Sequence, residues 1–205
     1  MDIIEQHEDV WSRTKTVHGY AVDEVRSVLQ KSIRRGLVEE AILAAFELYV
    51  TGPETEELLW RRLEIITIED VGTGLVQGPM LIEALNNQRL RWPRNPERWM
   101  FSAHAVRMLC AAQKDRTTQE LAGWTEEVVS RGERAVEVQD FHIDMHTVRG
   151  VSMGRGKEHW WNEGAIVRNP VKGLDSRWGD YLRGLYAGDG PAGGGTKAKN
   201  AKKLG

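Results

Sequence analysis

The chain has 205 residues, of which 40% are hydrophobic and 28% charged, and a net charge of −2. That length suffices for a sizeable core, and that balance excludes a disordered or globally basic protein. No apolar run approaches the roughly 20 residues that a membrane helix needs.

Met1-Asp2-Ile3-Ile4-Glu5 lacks the basic and apolar regions of a signal peptide, so a cytoplasmic protein is expected. Cys110 is the only cysteine, which excludes an intrachain disulfide and fits a reducing compartment. It stands in an apolar helical run and reads as a buried, inert thiol rather than a nucleophile.

Residues 1–20 are polar with little periodicity and read as a loosely attached arm. From Val22 the apolar positions Val22, Val25, Val28, Leu29 and Ile33 recur at helical spacing, with Gly36 as C-cap. A second helix is expected over 37–50, its inner face built from Ala41, Ala44, Ala45 and Leu48. Thr51-Gly52-Pro53-Glu54 reads as a capping box before a third helix through Leu59, Leu63 and Ile66 to Gly72. The β-branched run 65–68 is kept helical because 56–64 are strong helix formers.

A fourth helix is expected over 79–89, and a fifth opens at Asn95-Pro96 and runs through Phe101, Val106 and Leu109. Thr117-Thr118-Gln119-Glu120 reads as a second capping box, opening a segment toward Val138. After Asp140 the periodicity weakens, and glycines, histidines and adjacent tryptophans accumulate. A last helix is expected from Asp175, with Trp178, Leu182 and Leu185 on one side. Residues 188–205 are Gly, Ala and Lys, which bury too little surface to fold and read as a disordered tail. The expected architecture is therefore all-α: an arm over 1–20, one multi-helix domain over 21–187 and a tail over 188–205.

Two stretches carry a resemblance. Leu29-Gln30-Lys31-Ser32-Ile33-Arg34-Arg35-Gly36 precedes an Ala-rich helix. Arg61-Arg62-Leu63-Glu64-Ile65-Ile66-Thr67-Ile68-Glu69-Asp70-Val71-Gly72 then follows. Together they resemble the helical C-terminal region of the RarA (MgsA) AAA+ ATPases. There a "KSIRGS…AL" hairpin precedes an "RRL…SEDIG" helix.

Pro96-Glu97, Ala103, Leu109 and Lys114 fit that family's next helix, and Met145-His146 with Met153-Gly154-Arg155-Gly156 fit a later His and Gly-x-Gly. The resemblance spans roughly residues 22–165. It implies a clamp-loader-type helical region that forms tetramers, acts in DNA replication, recombination or repair, and associates with single-strand-binding protein. The ATPase itself is missing from the chain: no Gly-x-x-x-x-Gly-Lys-Ser/Thr loop is present, and the nearest string, 190–197, ends Gly-Thr-Lys. No cofactor and no catalytic group are expected.

Several residues invite a functional and a structural reading together. Lys31, Arg34, Arg35, Arg61 and Arg62 could face a phosphate backbone, but acids nearby, such as Glu57 four residues before Arg61, favour pairing. Glu69 and Asp70 end a helix at the negative pole of its dipole. They fit ion pairs to Arg34, Arg35 or Arg62 better than a metal or an acid–base pair. His142, His146 and His159 are metal candidates, since on a helix His142 and His146 would share a face, but hydrogen-bonded structural histidines are the simpler reading.

The stretch Arg149, Arg155, Lys157, Trp160 and Trp161 mixes cations, glycines and aromatics, as a stacking or docking segment would. The turn over 89–96 carries Arg89, Arg91 and Arg94 beside Trp92 without an acid, and with Arg98 just beyond it is open to nucleic acid, an acidic peptide or solvent.

The function expected from this is a non-catalytic helical accessory or oligomerisation protein. Its partners would be copies of itself, favoured as a tetramer, a single-strand-binding protein or a separate ATPase, and DNA. A nucleic-acid-binding module using the Arg/Trp turn and the basic tail is the alternative, and a His-based metal hydrolase the second alternative. The interface is expected between Trp160 and Trp178, or at Trp92 and Trp99.

Overall fold

The computed structural model describes residues 10–188. These are helical, with ten α-helices in chain order: α1 (Val10–Arg13), α2 (Val22–Arg35), α3 (Val38–Thr51), α4 (Pro53–Ile66), α5 (Gly78–Arg89), α6 (Pro96–Ala111), α7 (Thr117–Ser130), α8 (Val148–Ser152), α9 (Lys157–His159) and α10 (Arg177–Tyr186). Among the described residues there is no strand, only one isolated bridge between Lys15 and Ala21. None of their helices is long and apolar enough to cross a membrane. They form two compact units divided between Arg134 and Ala135, rather than the single domain expected over 21–187.

The first unit is built on α2–α6. Val22, Val25, Leu29 and Ile33 line one stripe of α2 and are buried, as an i, i+3, i+4, i+7 pattern demands. They meet Ala41, Ala44, Ala45 and Leu48 of α3, where the small side chains let the helices approach closely. Leu59, Trp60, Leu63 and Ile66 of α4 and Val106 and Leu109 of α6 complete a core closed to solvent. Removing one such leucine to alanine would cost roughly 2–5 kcal/mol.

Local signals explain most boundaries. Gly36 adopts φ 71° and caps α2, its N–H donating to the Ile33 carbonyl. Asn95 Oδ1 accepts from the Arg98 N–H at 3.0 Å, and Pro96 follows it in the first turn of α6.

Two expected caps take other partners. Thr51 is the last residue of α3, and its hydroxyl donates back to the Glu47 carbonyl, so Gly52 alone precedes Pro53. At α7 the N-cap position is Arg116, and the Asp115 carboxylate just before it accepts from the Thr117 N–H at 2.9 Å. α7 ends at Ser130 and does not reach Val138.

α4 continues into a π turn over Thr67–Val71 and then a 3-10 turn over Gly72–Leu75. The run 65–68 is therefore helical, with a widened last turn.

Residues 10–20, expected as part of a loose arm, are tied down. Thr16 is buried, its backbone N–H donates to the Tyr20 carbonyl, and Trp11 packs against the core. The segment escapes periodicity because hydrogen bonds hold it rather than an apolar stripe. The remaining arm residues, 1–9, lie outside the described residues, as does the expected tail apart from Gly188.

The second unit is short-helical. Gly150 sits where a Cβ would run into the Asp144 carbonyl, so only glycine lets α8 approach the preceding turn. Thr147 caps α8 by accepting from the Gly150 N–H. α9 runs into a π turn over Trp160–Gly164, and α10 packs on both.

Candidate functional site

The two stretches that carry the family resemblance meet at Asp70. The π turn at the end of α4 carries Glu69 and Asp70 toward α2, and the Asp70 side chain is closed to solvent. Arg34 Nε donates to Asp70 Oδ1, while Arg34 Nη2 lies 3.3 Å from Glu69 Oε1. Gln30 Nε2 donates to the second Asp70 oxygen at 3.0 Å, and Gln30 Oε1 accepts from Arg62 Nη1 at 3.2 Å. Arg116 adds a guanidinium 3.6 Å away.

The structure thus brings together Arg34, Arg62, Glu69 and Asp70 of the expected ion-pair group. Arg35 is exposed, and its guanidinium turns back to the Lys31 carbonyl.

The same junction holds the α6–α7 connection. The Asp115 N–H donates to the Asp70 carbonyl at 3.1 Å. The Asp115 carboxylate accepts from the Thr117 hydroxyl and N–H and from the Thr73 hydroxyl and N–H. These bonds, led by the Thr117 hydroxyl, hold its pKa far below the usual carboxylate range. Lys114 points its ammonium at the Leu109, Cys110 and Ala112 carbonyls at the end of α6, where a cation suits the helix dipole. Burial lowers its pKa. Burial likewise raises the pKa of the neighbouring Cys110 thiol, partly offset by Lys114, so this cysteine is poorly ionised.

A second junction corrects the reading of the 89–98 turn as an open basic surface. Glu56 of α4 is fully buried and faces three of its arginines. Arg89 Nη1 lies 3.0 Å from Glu56 Oε1, and Arg98 reaches both carboxylate oxygens at 2.8 and 3.0 Å. Arg94 Nε lies 3.2 Å from Oε2. Arg89 itself is fully buried, pairs also with Glu57, and stacks over the Trp60 ring at 5.4 Å.

The acid that these arginines share is supplied from as far as 42 residues away in sequence. Arg91 and Trp92 remain exposed. Glu56 was legible only as a carboxylate in line with Leu59, Trp60 and Leu63, at the spacing of a buried helical stripe.

In the second unit the three histidines do not converge. His142 ends a 3-10 turn and its Nδ1 accepts from the Gln139 N–H. His146 Nδ1 lies 3.2 Å from Asp144, and His159 Nε2 lies 4.0 Å from Asp140. His142 and His146 lie on a tight turn, not one helix, so they share no face. Among the described residues no group of three His, Cys, Asp or Glu side chains could hold a metal ion.

Arg155 is committed to the Asp140 and Ile143 carbonyls and the Asp140 carboxylate. The guanidinium of Arg155 holds the Asp140 carboxyl below its ordinary value, against some burial. Lys157 donates to the Tyr186 hydroxyl at 2.9 Å. Trp160 and Trp161 pack edge to face at 4.7 Å, half-buried rather than splayed out for stacking. Arg149 is exposed.

What the first unit leaves open is apolar. A groove of about 550 Å³ runs between α2 and α3, walled by Val25, Val28, Leu43 and Phe46 and rimmed by Glu40 and Glu47. Glu47 works against burial but is held below its ordinary pKa by hydrogen bonds from Thr16 and His18, and so is charged. Sequence reasoning missed this surface: it put Val28 in the α2 stripe, whereas Val28 is half exposed and shares the groove with Leu43 and Phe46 at the edge of the core. A second apolar surface lies around Trp92, Met100, Phe101 and Leu85. No protein-family model matches the chain, and comparison with curated proteins gives no match.

Proposed function

We propose that the chain is a non-catalytic helical accessory protein that self-associates and works in DNA replication, recombination or repair. It would act beside a separate ATPase or a single-strand-binding protein, near DNA, without hydrolysing nucleotide. The observation that carries this reading is the Asp70 junction. The hairpin and helix that resemble the RarA C-terminal region are joined there through Gln30, Arg34, Arg62, Glu69 and Asp70, the polar residues of those same motifs. Exposed apolar side chains on α2, α3 and α6 support self-association, because contiguous patches of this kind are uncommon on monomers.

The alternatives keep fewer supporting residues: Arg91 and Trp92 stay exposed, and the basic tail lies outside the described residues. The 89–98 turn commits three of its four arginines to Glu56, which leaves little free charge for phosphate. The histidines of the hydrolase reading are separated.

Affinity capture of the tagged full chain from its natural host, with and without replication-fork stalling, tests the proposal. Enrichment of fork-associated ATPases or single-strand-binding protein on stalling is expected. Recovery only of proteins outside DNA metabolism, under both conditions, would overturn it.

A further inference from the structure

The outward stripe of α6 carries two opposite charges without a counterion. Glu97, Met100, His104 and Arg107 recur at i, i+3, i+7 and i+10, and all four are exposed. Among the described residues, neither Glu97 nor Arg107 has an ion-pair partner. Arg94 and Arg98, the cations nearest Glu97 in sequence, are held by Glu56. Glu39 of α3 borders the same surface as Arg107 but forms no ion pair with it.

The two charges have different surroundings. Glu97 borders an apolar surface with Leu85, Met100 and the rings of Trp92 and Phe101, which lie 6.5 Å apart and tilted by 42°. Aromatic rings beside a carboxylate favour a cation, and a guanidinium above all, because it can stack and pair at once. Arg107 borders the other flank of the stripe, with Val38 and Ile42 of α3 and Ala103.

Position along the helix selects the source of that guanidinium. Glu97 and Arg107 stand equally far from the level of Ser102, about 7.5 Å to either side at 1.5 Å per residue. Met100 and His104 stand about 3 Å to either side of the same level. A twofold axis perpendicular to α6 at that level sets a second α6 antiparallel to the first. Each Glu97 is then level with Arg107 of the other copy, and each Met100 with His104, so the surface satisfies itself twice. Parallel packing would set Glu97 against Glu97 and Arg107 against Arg107.

We infer that α6 packs antiparallel on α6 of a second copy, with Met100 at the centre and Arg107 of each copy against Glu97 and the aromatic rings beside it. This rests on the self-association proposed above and names its surface. The contact is isologous and closes as a dimer, so a tetramer would need a further surface. Of the interfaces expected from sequence, Trp92 borders this face, whereas Trp99 packs on Phe46 and Tyr49 and the stretch from Trp160 to Trp178 takes no part.

Charge reversal tests this. Glu97→Arg sets cation against cation at both ends of the contact, and Arg107→Glu sets acid against acid. Neither side chain has an ion pair to lose within the chain, so circular dichroism should show both variants folded. By analytical ultracentrifugation at micromolar concentration, wild type should sediment as a dimer of the 23.2 kDa chain or a multiple of it. Each variant alone should dissociate about tenfold or more as readily, because like charges set together are costly.

An equimolar mixture of Glu97→Arg and Arg107→Glu should associate like wild type, since each end again joins an acid to a cation. Met100→Asp should leave a monomer. If wild type associates and these substitutions do not weaken it, the inference fails while self-association stands. Two weakened variants that do not rescue each other on mixing also refute it. A monomeric wild type overturns both the inference and the proposed self-association.

Discussion

Glu56→Gln removes one charge from the centre of three guanidiniums while keeping the side chain's shape. Glu56 and Arg89 are both fully buried, and the Arg98 side chain is 13% exposed, so water cannot replace the lost carboxylate. Removing one partner of a buried ion pair costs about 3–5 kcal/mol, because the other charge is left unpaired in a poorly polar surrounding. With a urea dependence of roughly 2 kcal/mol per molar, the unfolding midpoint should fall by about 1.5–2.5 M.

Glu57→Gln is the internal control. It also touches Arg89, but its side chain is half exposed, and a pair of that kind contributes roughly 1 kcal/mol or less. Urea titration followed by circular dichroism, with slopes checked for constancy, compares the two. Equal, small shifts for both variants would refute the reasoning and place the stability of the 89–98 turn in its apolar contacts.

The remaining predictions concern the Asp70 junction. The Asp115 carboxyl has a folded-state pKa below its unfolded value, so it adds stability above about pH 4 and loses it as pH falls toward the folded value. Asp115→Asn should therefore flatten the fall in stability between pH 5 and pH 3, measured as the urea midpoint at each pH. An unchanged slope would assign that loss to other carboxylates. Gly74→Ala would drive a Cβ into the Gln113 carbonyl, and the overpacking should cost about 1–3 kcal/mol. A midpoint within error of wild type would mean that the 72–75 turn moves off freely.

The helices were legible where their determinants are local. The α2 stripe, the Gly36 cap and the Asn95-Pro96 start of α6 each depend on residues within one or two turns. The capping boxes at Thr51 and Thr117 were misread because a threonine hydroxyl can serve its own helix, and because Asp115, two residues earlier, takes the Thr117 N–H and hydroxyl.

Glu56 with Arg89, Arg94 and Arg98 was invisible for a different reason: a cation's partner is set by packing, and here it lies more than thirty residues away. His142 and His146 follow the hydrogen-bonded reading rather than the metal one: Gly150 brings α8 against Asp144, so the two histidines lie on a turn and not on the shared helix a metal site would need. The apolar groove needed both α2 and α3 in place, since neither helix alone marks which of its outer residues share a cleft.

The π turn after α4 has a consequence for chain length. Its carbonyls bond five residues ahead where α4 bonds four ahead, so it holds about one residue more than a regular turn. Deleting Ile68, which is half exposed, would let the helix continue in ordinary α register, with the residues after it keeping nearly the places they have now. A single deletion inside the regular part of α4 would instead turn everything after it by about 100° and draw it back by about 1.5 Å. Asp70 would then leave Arg34, and Gly72, whose added Cβ would lie 2.6 Å from the Asp115 carbonyl, would leave its seat. The π turn is thus a point where the chain can lose a residue and keep its fastening to α2 and the α6–α7 connection.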